Sequence, residues 1–137
     1  MLYDVFQQEL VEKKLKYKGN SVWFFPERDE GKERIFWHLT HIDDESSGQR
    51  IPDPDRASKL AWIEPLLSDP YQEGVLAWDY EEAKNTIHTY VWLVDWDYLI
   101  IMKKYPDETR RLITAHCILY PHKKRKLEKK YNNRIGK

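Results

Sequence analysis

Three runs set the terms for any fold of this chain: "IHTYVWLV", "DYLIIMK" and "RRLITAHCILY", separated only by "DW" and "KYPDET". Each is rich in β-branched and aromatic residues, and spacers this short suit hairpin reversals. They predict three sequential antiparallel strands. Before them, Val5, Phe6, Leu10, Leu15 and Tyr17 predict an amphipathic helix over residues 3–17, stopped at Gly19-Asn20. "SVWFF" predicts a strand, "PERDEGKE" a polar turn and "RIFWHLTHI" a second strand. "DDESSGQRIPDPD" reads as a loop. Asp55 then caps a helix "RASKLAWIEPLL", on which Leu60, Ile63 and Leu67 share a face. "SDPYQEGVLAWDYEEAKN" reads as a loose segment, and the basic C-terminus as a helix or tail. The expected fold class is α+β, an N-terminal and a middle helix packed on a twisted antiparallel sheet. With no repeat and no linker, residues 1–137 read as one domain with a basic tail over 122–137.

Composition narrows the class. The chain is 41% apolar and 14% aromatic, enough for a packed core, while 34% charged residues and a mean hydropathy of -0.81 suit a soluble surface. No apolar run nears the ~18 residues of a membrane span. "MLYDVFQQELVEKK" lacks the basic-then-apolar pattern of a secretory signal. A cytoplasmic chain with no membrane partner is expected. The single cysteine, Cys117, excludes an internal disulfide framework and a multi-cysteine zinc site. A net charge of zero hides an asymmetry, because residues 122–137 hold eight Lys and Arg against Glu128 alone. Through Lys123, Lys124 and Arg125 such a tail is a candidate footprint for nucleic acid; the other reading is a solvated end that pairs with the acidic body.

Candidate chemistry centres on "RIFWHLT". As a strand it puts Ile35, Trp37 and Leu39 in the core and Arg34, Phe36, His38 and Thr40 on the other face. His41 then points away from His38, which removes an H-x-x-H metal pair; no metal or other cofactor is expected. In the last strand Thr114 and His116 share a face, opposite Ile113, Ala115 and Cys117. Arg56 falls in the first turn of its helix, where a cation opposes the helix dipole. It is either placed beside an anion or paired with Asp53 or Asp55. Histidine, arginine and hydroxyl groups without a metal suit RNA cleavage by attack of the ribose 2′-hydroxyl on phosphate. His38 is the candidate acid or base. Arg34, Arg50 and Arg56 are candidate phosphate ligands, and Thr114 a hydroxyl donor. Phe36 and Tyr90 are the candidate aromatics for stacking a base.

The series "RIFWHL", "RIPDPDR", "LAWIEPLL", a tryptophan near "LAWDY", "YVWLVDWDYLIIM" and "RRLITAHCI" followed by "H" and "KL" resembles phage and mobile-element nucleases of the barnase–EndoU–colicin–RelE superfamily. The resemblance runs from about Val22 to Tyr131. It implies N-terminal helices on a twisted antiparallel sheet whose open face binds RNA, and a metal-independent endoribonuclease, often a toxin with an antitoxin or immunity partner. Matched residue by residue, it implies roles for Arg34, His38, Arg56 and Thr114. Where an aromatic is expected after "TA" this chain has His116, an extra candidate acid or base. Two other readings use the same residues: a non-catalytic RNA-binding module, and a protein-interaction domain whose polar faces are solvated.

Overall fold

The computed structural model describes residues 2–136, so Lys137 of the basic tail lies outside the described residues. Leu2–Phe6 form α1, which continues as a π-helical turn over Gln7–Glu12 and ends well short of the expected residue 17. Leu15 and Tyr17 are core residues, yet they enter the core from the other side of a bend: β1 is Lys16–Tyr17 and pairs antiparallel with β2, Asn20–Trp23. The polar turn is a small hairpin of β3, Arg28–Asp29, and β4, Lys32–Glu33, reversed through Glu30 and Gly31, both with positive φ. Gly31 takes that conformation at no steric cost, while Glu30 takes it as a single non-glycine residue of the turn.

"RIFWHLT" is a helix. Residues Arg34–Thr40 form α2, burying Phe36, Leu39 and Thr40 at the i, i+3, i+4 spacing of a helix face. Seven residues fit both periods, and packing against the sheet decides for 3.6. The supposed loop after it is the hairpin of β5, His41–Asp43, and β6, Arg50–Pro52. The middle helix is broken into α3, Pro54–Ala57, a 3-10 turn over Leu60–Trp62, and α4, Ile63–Ser68. Its cap is Asp53, whose carboxylate accepts from Asp55 N with Pro54 at the first helical position; Asp55 is not the cap.

The three expected strands are β8, Thr86–Leu93, β9, Tyr98–Lys104, and β10, Arg110–Cys117. A fourth precedes them: β7, Val75–Ala83, pairs antiparallel with β8. The sheet runs β1-β2-β10-β9-β8-β7. It is mixed rather than wholly antiparallel, because β2 joins β10 in parallel. The fold class is α+β.

Strand β9 reads as an unbroken apolar run because both its faces are covered. Tyr98, Ile100 and Met102 join Phe6, Phe36, Leu60, Ile63 and Leu67 in the main core beneath the helices. Leu99 and Ile101 face the opposite way. There α5, Pro121–Asn132, lays Leu127 among Trp78, Tyr90, Trp92 and Leu99, with Tyr131 edge-on to Trp78. The basic tail is therefore the lid of a second core. At one end of the inner face Arg110, 2% exposed, donates to Thr89 Oγ1 at 3.0 Å, pairs with Asp79 at 3.6 Å and lies 4.6 Å over the Tyr17 ring. Removing one partner of such a buried pair costs several kcal/mol. Among the described residues no helix is long and apolar enough to cross a membrane.

Candidate functional site

Helix α2 places Arg34 and His38 one turn apart on its solvent side, where four residues bring side chains into line. Helices α2 and α3 both pack against β10. That packing seats Arg56 at the exposed C-terminus of α2: Nη1 donates to His38 O at 2.8 Å and reaches His41 O at 3.4 Å, and Nε pairs with Asp53 at 3.4 Å. α3 is a single turn with Arg56 as its third residue, too short a helix for its dipole to weigh much on that charge. The Arg56 charge instead meets the carbonyl end of α2, a favourable placement.

Arg56 lines two clefts at once. The first, about 320 Å³, is walled by Arg34, Trp37, His38, His41, Asp43 and Arg50. His41 thus shares a cleft with His38; its assignment to the opposite face followed from the strand reading and falls with it. The second, about 420 Å³, lies between the outer face of β9 and β10 and helix α5, with His116, Tyr120, Lys123, Lys126 and Lys130 along it. A third hollow, about 300 Å³, shares Arg34 and His38 with the first and extends to Phe25 and Arg111. The three adjoin as a channel through shared lining residues, Arg56 between the first and second and Arg34 and His38 between the first and third, with Glu27 and Asp43 as the acids along it.

Titration in the channel follows from these neighbours. Partial burial and the Arg56 guanidinium lower the His38 pKa, with Asp43 opposing. His116 is pushed down to about 4 by burial and by the charges of Arg56, His38 and Lys123. Burial and Arg50 lower His41, whose Nδ1 lies 2.7 Å from Thr40 Oγ1. At neutral pH these imidazoles are neutral and able to accept a proton. Neither the His38 nor the His116 ring is hydrogen-bonded to a protein group among the described residues. An entering phosphate anion would raise both pKa values.

The other candidates divide. Thr114 and His116 do share the outer face: they pair with Ile101 and Leu99, while Ala115 and Cys117 face the main core. A register shift between Leu112 and Thr114 takes Ile113 out of the ladder, and Ile113 borders the third hollow. Thr114 is buried and lines none of the three hollows. Arg50 borders the first cleft but is largely committed, stacked 4.9 Å over Trp37 and paired with Asp29. Phe36 is a core residue, 3% exposed, so it cannot stack on a ligand. Tyr90 is equally buried, with its hydroxyl held by Glu82 and by Lys130 at 3.0 Å. Of the candidate tail cations Lys123, Lys124 and Arg125, Lys123 alone borders these clefts. Lys124 turns to Asp97 at 3.4 Å and the Trp92 ring, and Arg125 is exposed outside the three hollows. Lys126 and Lys130 were missed, although steps of three and then four residues along the helix from Lys123 put all three on one face. Among the described residues no three His, Cys, Asp or Glu side chains gather closely enough to hold a metal ion.

Comparisons with protein-family models, curated proteins and solved structures found no match to this chain.

Proposed function

We propose that the chain is a metal-independent endoribonuclease acting at the channel where His38, Arg56 and His116 meet. The observation that carries this is the convergence itself. Residues 38, 56 and 116 come from α2, α3 and β10, and Arg56 borders the clefts of both histidines. The charges of Arg56 and His38 both act on His116. Two neutral imidazoles flanking a guanidinium suit a phosphodiester whose 2′-hydroxyl is the nucleophile. One imidazole accepts the 2′-hydroxyl proton as that oxygen bonds to phosphorus. The bond from phosphorus to the 5′-oxygen breaks, and the other imidazole, protonated in the presence of the anionic phosphate, supplies the proton. Arg56 Nη2, which has no partner among the described residues, and Arg34 stabilise charge on the phosphate oxygens. The products are a 2′,3′-cyclic phosphate and a 5′-hydroxyl. The motif series resembling barnase–EndoU–colicin–RelE nucleases adds a toxin or effector setting, with a matching antitoxin or immunity protein, to the proposal.

The test is incubation of purified protein with mixed single-stranded RNA in excess EDTA. Cleavage leaving cyclic-phosphate ends, and its loss by at least ~100-fold in His38→Ala, is expected. Undiminished cleavage by His38→Ala removes that residue from the reaction. Binding without cleavage in the native protein favours the non-catalytic RNA-binding module.

A further inference from the structure

The aromatics singled out as base-stacking candidates are buried, yet an exposed aromatic cluster lies elsewhere, at the mouth of the third hollow. Strand register aligns Trp23 on β2, Arg111 on β10 and Lys103 on β9 as neighbours across the sheet, at about 4.8 Å per strand. Trp23 and Phe25 are 36% and 48% exposed. The Trp23 ring lies 5.6 Å from Phe25 and 5.4 Å from Tyr105. Cations are interleaved with these rings. The Arg111 guanidinium sits 4.3 Å over Phe25 and its Nε donates to the Tyr105 hydroxyl at 3.1 Å, while the Lys103 ammonium is 5.4 Å from the Tyr105 centroid. Phe25 and Arg111 then border the hollow that leads to Arg34 and His38.

Trp23 and Phe25 are contiguous and rimmed by charged groups, the arrangement that marks an interaction surface. The charges identify the occupant. Glu27 is the acid bordering the hollow, and it is already paired with Arg34 at 2.9 Å. The surface offers flat apolar faces and net positive charge, which an extended polyanion carrying unpaired planar groups would match. A double helix keeps its bases stacked on each other and does not present them. We infer that Trp23, Phe25 and Tyr105, with Arg111 and Lys103, form a stacking platform for the bases of single-stranded nucleic acid, continuous with the His38 channel. This inference rests on the proposed function, of which it names the substrate's form: single-stranded, with bases gripped at the hollow that His38 also borders.

The experiment measures binding of a fluorescent eight-nucleotide single-stranded oligodeoxynucleotide, which lacks the 2′-hydroxyl and is not cut by the proposed reaction. The full chain is compared with Trp23→Leu, Phe25→Leu and Arg111→Gln. Leucine keeps apolar bulk without a stacking face, and circular dichroism identifies variants that are folded. Each leucine variant should bind about 10-fold more weakly, within the range set by stacking of one base. Arg111→Gln should lower the slope of log affinity against log salt by about 0.7, the value for one lost phosphate contact to a single strand. Folded leucine variants that bind within twofold of the native chain overturn the platform and leave a protein partner as the explanation for the exposed rings. Tighter binding of a duplex than of the single strand overturns it equally. RNA cleavage by the native protein is scored separately. If the native chain cuts RNA while the variants bind normally, the platform fails and the nuclease stands. If it cuts nothing while the variants lose affinity, the nuclease fails and the platform stands.

Discussion

His116 titrates near 4 because burial and three neighbouring cationic or imidazole groups disfavour its charged form. In the unfolded chain it titrates near its ordinary value of about 6.5. Between these limits the unfolded state binds more protons than the folded state, so stability falls as pH drops from about 6.5 towards 4. His38, His41 and His88 are lowered too and act with the same sign. Urea unfolding should therefore show the native chain losing stability across that window and His116→Asn losing measurably less. An identical pH dependence in the variant would mean that His116 is not held neutral by the fold. Arg34 and His38 are four apart, a spacing that aligns them on a strand and on a helix alike, so their pairing survived the wrong period. Phe36 and His41 lie two and three residues from them and changed sides with the change of period.

At the scale of elements, the three apolar runs of the sheet were legible because each is long, β-branched and closely followed by the next. Strand β7 was missed. Its "DYEEA" end is polar, and the alternation of Leu76, Trp78 and Tyr80 against Ala77 and Asp79 competes with that charge. No local signal announced that β2 would pair in parallel with β10, since that contact joins segments far apart in sequence. Helix α5 was anticipated from its composition, but its role was not. Lysines dominate the count, while one leucine and one tyrosine decide where it docks. Leu127 is 5% exposed against a tryptophan- and tyrosine-rich face. Replacing it with alanine leaves a cavity under the helix and should cost about 2–5 kcal/mol in chemical denaturation. A loss below ~1 kcal/mol would show that α5 does not seal a core.

For the whole molecule, a chain of zero net charge gathers its cations where three structural layers meet. The helical layer supplies His38 and Arg56, the sheet supplies His116, and α5 supplies Lys123, Lys126 and Lys130. The sheet's outer face is thus only partly open, shielded by α5 at one end and presenting Trp23, Arg111 and Lys103 at the other. The residue types of such a site could be read from the chain, but their meeting point could not, because it depends on how two short helices pack on one strand.

In the proposed reaction His38 and His116 serve one step at one phosphate. Residues that act as a unit are not additive: losing either removes most of what losing both removes. Initial rates of RNA cleavage in EDTA should be compared for the native chain, His38→Ala, His116→Ala and the double variant. Each single variant should fall by at least ~100-fold, and the double variant little further. Single variants that keep native rates, or losses that multiply in the double variant, would contradict a shared step.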